Sequence, residues 1–424
     1  MHTASDLAGF IDASPTQFHA VYNAAARLID AGFEVFNPAA GSEPGARLVV
    51  KDGALIAWVD GPSPLSPLRM IGAHTDSPNL RIRPRPDVNS AGFRQLGVEV
   101  YGGALLNSWL DRDLGIAGRA AISDGDGGVT YRLFRSNEPQ VRVPQLAIHL
   151  DRAINERGLL LDRQQHMTPI WSLGTGSEGD FGDWLADLIS VGRRDVLGWD
   201  AACFDFQPSA ILGKNMEFLA APRLDNLCST FGAVEALIAT KWAGSGPAMI
   251  ALFDHEEVGS NTATGADSVW LSRVLEQRRQ SLGLEPGAWL QSLDSALLLS
   301  ADMAHGTHPN YADRHEPNHH IVLGGGPVIK HNVNARYATD SIGAAEFRLA
   351  CERVDVSAQD YSHRGDLPCG STIGPLAASQ LSVRTVDVGI AQLSMHSARE
   401  MMAVADVDPM VRAFTAWLTP PRDQ

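Results

Sequence analysis

"AMIALFDHEEVGS", residues 248–260, begins with six apolar residues and then turns abruptly polar. The run Ala248–Phe253 is too short for an ordinary globular helix and shows no polar alternation. It reads as a strand buried on both faces, as in the middle of a helix-covered sheet. The strand delivers Asp254, His255, Glu256 and Glu257 to a loop that closes with Val-Gly-Ser. α/β enzymes keep their chemistry in such loops at strand ends. His255-Glu256 also opens the helical zinc signature His-Glu-x-x-His. Gly259 occupies the second histidine position, so that signature is absent.

The same shape recurs outward from this point. "LRMIGAHTDSP" (68–78), "ALLLSADMAHG" (296–306) and "TVDVGIAQLSMHS" (385–397) each pass from an apolar run into a polar loop. "ARLVVKDGALIAWVDG" (46–61) predicts two strands around a Lys-Asp-Gly turn. Helical texture is expected at 14–32, with Ser14 as cap, Pro15 in the first turn and Phe18, Val21, Ala25 and Leu28 on one face, and again at 224–242. Between 89 and 215 the texture is mostly β: Val129, Tyr131 and Leu133 alternate with polar neighbours after "DGDGG", and "VRVPQLAIHL" and "GWDAACFDFQ" are similar. The expected fold class is α/β. A three-layer α/β/α catalytic domain with a mixed central sheet spans 1–88 and 216–424, interrupted by an inserted β-rich domain at 89–215.

Bulk properties exclude several classes. The 424 residues are long enough for two domains, and the net charge of −15 opposes binding to nucleic acid. The first residues lack the basic start and apolar core of a signal peptide, and no run of 18 apolar residues suggests a membrane span, so a cytoplasmic protein is expected. Cys203, Cys228, Cys351 and Cys369 are scattered and read as reduced structural thiols. The triple glycine 324–326 lacks the Gly-Lys-Ser/Thr ending of a phosphate loop, and "GTGSEG" (174–179) has Thr175 where a nucleophile elbow needs glycine.

The candidate ligands are His74, Asp225, Glu257, Asp302 and His396. This nitrogen and oxygen set suits zinc, with cobalt or manganese as substitutes. Five candidates exceed the three protein ligands of one catalytic zinc and suit two ions sharing a carboxylate. Adjacent glutamates at a strand end diverge, so one can ligate while the other faces substrate as proton shuttle. Asp76 is spaced to orient His74. Each residue alone has a plain structural reading: Asp225 as a helix cap, Asp302 as a turn residue, Glu256-Glu257 as a solvated pair.

Together, however, "GAHTDSP" (72–78), "RLDN" (223–226), "DHEEVGS" (254–260), "SADMAHGTHPNY" (300–311), "GPVIK" (326–330), "RYATD" (336–340) and "SMHS" (394–397) make the chain resemble the aspartyl aminopeptidases, a family of dizinc metallo-exopeptidases. The motifs stand in the family's order across most of the chain. The resemblance implies two zinc ions per subunit, bridged by Asp225, with His74 and Asp302 on one and Glu257 and His396 on the other. Glu256 would be general base and acid, acting with a metal-bound hydroxide. His149, in "QLAIHL", would act on the substrate from a neighbouring subunit or serve as an occasional ligand. Lys330, Tyr337 and His305 would contact the substrate. A tetrahedral homo-dodecamer that removes acidic N-terminal residues from peptides is implied, with the inserted domain 89–215 making subunit contacts and completing the active site. The rivals are a dizinc aminopeptidase or deacylase for neutral residues and an inactive self-assembling shell.

Overall fold

The computed structural model describes residues 3–38, 44–241 and 246–421. At its centre is a nine-stranded mixed sheet. In spatial order the strands are Glu34–Val35, Ala46–Lys51, Ala54–Val59, Ala248–Phe253, Arg69–His74, Leu297–Ala301, Arg384–Gly389, Val328–His331 and Gln359–Ser362. The four strands from Ala248–Phe253 to Arg384–Gly389 are parallel neighbours, flanked on each side by an antiparallel strand.

Successive side chains of a strand point to opposite faces. Ala248, Ile250 and Leu252 accordingly join one core with Ile71, Ala73, Leu299 and Val388, whereas Met249, Ala251 and Phe253 join another with Trp58, Met70 and Leu298. Helices including Gln17–Asp30, Leu224–Lys241 and Val407–Leu418 cover the first face through Leu28, Phe231 and Phe414. Trp270–Ser281, Pro286–Asp294 and Ile373–Leu381 cover the second through Leu271, Trp289 and Ile373. The three-layer α/β/α class is therefore present. Burial on both faces explains why "AMIALF" shows no polar alternation. Leu252→Ala is expected to lower the unfolding free energy by about 2–5 kcal/mol, read from denaturant unfolding, because close packing leaves a cavity.

A separate six-stranded sheet is antiparallel throughout, in the order Val129–Arg135, Leu114–Ser123, Val196–Asp205, Asn79–Ser90, Phe93–Tyr101, Ile170–Leu173. It carries its own core, including Leu80, Leu96, Ile116 and Phe181. The expected junction at 88/89 falls inside Asn79–Ser90. Pro84 and Pro86 obscure that strand in the sequence, and its register is irregular between Ile82 and Asp87. A third sheet of five short strands, Ala210–Leu212, Phe218–Ala221, Glu400–Ala403, Ala391–Leu393 and Ala304–His305, borders the site.

Other local expectations change. The helix expected at 14–32 spans Gln17–Asp30, with Thr16 rather than Ser14 at the cap position, and a further helix, Ala4–Ala13, capped by Thr3 in a reciprocal box with Asp6, precedes it. Ser14 and Pro15 form the break between them. Val129 and Tyr131 are on a strand, as the alternation predicts, but stand 68% and 61% exposed; the strand is at the sheet's edge and its buried residue is Phe134. "VRVPQLAIHL" makes isolated bridges and a 3-10 turn rather than a strand. The second long helix ends at Lys241, and Trp242 lies outside the described residues. The triple glycine cradles a carboxylate of the chain itself: the Gly324 and Gly326 amides donate to Asp406 at 2.7 and 2.9 Å. The four cysteines are unpaired with one another, three of them buried. Among the described residues, no helix is long and apolar enough to cross a membrane.

Candidate metal centre

The parallel strands bring distant residues together at their C-terminal ends. His74 ends the strand Arg69–His74, and Asp302 follows Leu297–Ala301. Glu256 and Glu257 lie in a 3-10 turn after Ala248–Phe253, next to that His74 strand. Asp225 sits at the start of Leu224–Lys241 with non-helical φ/ψ, and its Oδ1 has no hydrogen-bond partner. His396 follows Ala391–Leu393 of the five-stranded sheet with φ +67°. His255 (φ +64°) and Ser394 (φ +59°) share that left-handed backbone. Such conformations cost about 1–3 kcal/mol each and cluster where surroundings over-determine them.

Asp225 is the hub. Its Oδ1 lies 3.3 Å from His74 Nε2, and its Oδ2 lies 3.4 Å from His396 Nε2. Asp302 Oδ1 is 3.7 Å from His74 Nε2, and Glu257 Oε1 is 3.4 Å from His396 Nε2. The carboxylate thus faces two histidines, each with its own further acid. Both imidazoles are oriented by carbonyls, which only accept: His74 Nδ1 donates to Asp76 O at 3.0 Å and His396 Nδ1 to Gly103 O at 3.2 Å. That leaves each Nε2 facing the acids.

The donors suit a cation better than they suit each other. Asp225 Oδ1 and Glu257 Oε1 are buried with no hydrogen-bond partner. One donor each from His74, Asp225 and Glu257 fall within 4.8 Å of one another. Two donors held at zinc's bond length in a tetrahedron are about 3.3–3.4 Å apart, close to the spacings here. Such a nitrogen and oxygen set fits zinc, and concentrated buried acid needs positive charge.

The electrostatics agree. Burial alone would lower the pKa of His396, but Asp225 and Glu257 outweigh it and push it up to about 10. Burial likewise opposes a raised His74, yet the carboxylates of Asp225, Asp302 and Asp76 around it hold it well above the usual value. Burial pushes Glu256 up to about 8, the Asp302, Asp76 and Asp225 charges adding to the effect against His74. Burial also raises Glu257, with His396 opposing. Asp225 moves down despite burial, because both histidines face its oxygens.

Asp76 departs from the simplest expectation. Its carbonyl, rather than its carboxylate at 3.5 Å, is the nearer partner of His74 Nδ1. The carboxylate accepts from the Glu256 and Glu257 amides at 3.1 and 3.2 Å and from Tyr101 Oη at 2.7 Å. It therefore sets the turn that presents both glutamates. Glu400 was not visible as a site residue in the sequence. It is 2% exposed, and its carboxylate accepts from the Asp225 amide at 3.0 Å and the His396 amide at 2.7 Å, tying the hub to the second histidine.

Lys330 is 2% exposed, with Nζ 3.5 Å from Asp302 Oδ2, 3.2 Å from Met303 O and 5.1 Å above the Tyr337 ring. His305 is close enough to Lys330 to feel its charge; burial chiefly, and Lys330 next, lower its pKa to about 4. Its ring lies 6.1 Å from Tyr361, whose own ring is 6.4 Å from Tyr337. These residues extend the cluster on the Asp302 side. His149 stays outside it. It is exposed on the 3-10 turn Ile148–Leu150, between Ile148 and Leu150, which are 46% and 74% exposed. Among the described residues, no hydrogen bond or ion pair joins it to the cluster.

Comparison with known proteins gives this geometry a context. Residues 10–418 match the family described as "Aminopeptidase I zinc metalloprotease (M18)". A protein of Streptomyces coelicolor described as "Probable M18 family aminopeptidase 2" is 45% identical over 99% of this chain and 98% of its own length. One of the same description from Mycobacterium tuberculosis is 47% identical over 98% of each chain. Among solved structures, the cryo-EM structure of an Ape4–Nbr1 complex aligns with TM-score 0.93 at 35% identity, covering 98% of this chain and 85% of that one. The dodecamer of mApe1 from S. cerevesiae aligns with TM-score 0.85 at 28% identity, covering 98% and 97%. The chain belongs to the M18 family of zinc metallo-aminopeptidases, the aspartyl aminopeptidase family.

Proposed function

We propose that this aminopeptidase holds two zinc ions per subunit and removes acidic N-terminal residues from peptides. The observation that carries the reading is Asp225, whose two oxygens face different histidine–acid pairs at 3.3 and 3.4 Å. His74 and Asp302 would hold one ion, Glu257 and His396 the other, with Asp225 shared. Cobalt or manganese, which accept similar donors, would substitute for zinc. When bound, the ions supply Lewis acidity to the scissile carbonyl and make water a nucleophile near neutral pH.

The chain's own residues do the rest. Glu256 Oε2 is 4.0 Å from His74 Nε2, against 3.3 Å for Asp225 and 3.7 Å for Asp302, which supports leaving it out of the ligand set as the group that moves protons. It takes a proton from the attacking water as the oxygen adds to the carbonyl carbon. It returns that proton to the amine nitrogen as the C–N bond breaks. Burial raises its affinity for the proton. With cations held by the neighbouring ligands that affinity would fall again, and Glu256 would be a base at neutral pH. Asp76 holds the glutamate turn in place through two amides.

The acidic preference rests on Lys330, whose ammonium is buried beside the cluster. Once Asp302 is committed to a cation, that ammonium can pair with the side-chain carboxylate of the first residue. The −15 net charge of the chain does not prevent this, because salt screens distant charges beyond about 8–10 Å. One observation favours a neutral-residue preference instead: Lys330 already has Asp302 at 3.5 Å. Turnover of Asp-, Glu-, Leu- and Ala-anilides separates the two. Asp and Glu are expected to exceed Leu and Ala in kcat/KM, and a Leu value above Asp would overturn the acidic preference.

The assembly is proposed as a homo-oligomer on the tetrahedral dodecamer pattern. Support comes from the dodecameric relative and from the exposed apolar residues around His149. His149 would then serve a neighbouring subunit's site, on the substrate or as an extra ligand. The working location is the cytoplasm.

A further inference from the structure

The segment Tyr101-Gly102-Gly103 ends the strand Phe93–Tyr101 of the six-stranded sheet and runs against both Glu257 and His396. Tyr101 Oη donates to Asp76 Oδ2 at 2.7 Å, and Asp76 in turn holds the Glu256 and Glu257 amides. The Tyr101 ring is fixed beneath the Arg81 guanidinium, 4.2 Å from its centroid. Gly102 has φ +72°, and a Cβ there would stand 3.1 Å from Glu257 Cβ. Gly103 offers its carbonyl to His396 Nδ1 at 3.2 Å, and a Cβ on Gly103 would stand 3.2 Å from that same nitrogen. Just beyond, the Leu105 amide donates to His396 O at 3.0 Å, and Ser108 Oγ accepts from the Ala398 amide at 2.8 Å. His396 holds its left-handed backbone while bonded on three sides, by Glu400, Leu105 and Gly103.

We propose that Tyr101–Gly103 is a positioning strap. Carried by the six-stranded sheet, it fixes the ring of His396 and the turn bearing Glu256 and Glu257, so that zinc affinity depends on a sheet that supplies none of the proposed ligands within its own chain. The inference rests on the reading of His396 and Glu257 as ligands. The glycines are required because any side chain at 102 or 103 would press on those two residues.

Tyr101→Phe removes one hydroxyl and little volume; Gly103→Ala adds one methyl against His396. Zinc affinity is measured by chelator competition, alongside kcat, KM and the melting temperature of the metal-free protein, with His396→Ala as control. Partners that orient metal ligands typically contribute 10–100-fold, so both variants are expected to bind zinc about 10–100-fold more weakly, with reduced kcat, a nearly unchanged KM and an unchanged metal-free melting temperature. Undisturbed zinc affinity in both variants, while His396→Ala loses zinc, overturns the inference alone. A lower metal-free melting temperature with unchanged zinc affinity also overturns it, as a purely structural role. Full zinc retention in His396→Ala overturns the ligand reading and the strap together.

Discussion

Glu256→Gln is expected to keep its zinc and to lose about 10²–10⁴-fold in kcat, the usual contribution of a positioned general acid–base group. The substitution is nearly isosteric. Asp76 grips the backbone amides of the turn rather than the Glu256 carboxylate, so the turn should survive. The amide cannot accept the water's proton, and the barrier rises accordingly. Glu257→Gln is the contrasting variant. Glu257 Oε1 is buried, without a hydrogen-bond partner and 3.4 Å from His396 Nε2, so its loss should free one ion. Metal analysis and steady-state kinetics on both variants check the division. Equal metal loss from the two would contradict it.

Asp225→Asn should be more damaging, emptying both metal positions. Each Asp225 oxygen faces a different histidine, and an amide replaces one oxygen with a donor NH₂ that cannot ligate. Loss of the several kcal/mol that metal ions supply to such transition states corresponds to at least about 10³-fold in kcat. His74 with Asp302 and His396 with Glu257 would remain around it without the carboxylate they share. Zinc content near zero, with a folded circular dichroism spectrum and no turnover, is the expected outcome. Retention of one full equivalent of zinc with activity would contradict the shared role.

The middle of the central sheet was legible because its strands are short apolar runs cut off by polar loops, a pattern that burial on both faces produces, whereas Glu34–Val35, Val328–His331 and Gln359–Ser362 carry no such run of their own and went unread. The positions of His74, Glu256-Glu257, Asp302 and His396 at or just after such runs were legible for the same reason. Their meeting was not, since no spacing in the chain implies that Ala248–Phe253 lies beside Arg69–His74. Only the family resemblance united residues 74 and 396. Glu400 was hidden because nothing in "SARE" separates a buried carboxylate from a surface one; its burial follows from strand Glu400–Ala403 pairing in the five-stranded sheet. Tyr101 was hidden likewise, its hydroxyl reaching Asp76 from another sheet. Asp76 was picked for its spacing to His74, yet its carboxylate serves the glutamate turn, because its backbone carbonyl is the closer partner of the ring. The helix start, expected at Ser14 and found at Gln17, and the proline-bearing strand Asn79–Ser90 were misread because local texture was set by proline there.

The most direct test of the account is a zinc titration of the metal-free protein with turnover of an Asp-anilide as the readout. Activity should rise to its plateau at two zinc ions per chain, and His396→Ala should bind only one with little activity. A plateau at one ion per chain, or full turnover in the metal-free protein, would contradict the two-ion centre built on Asp225.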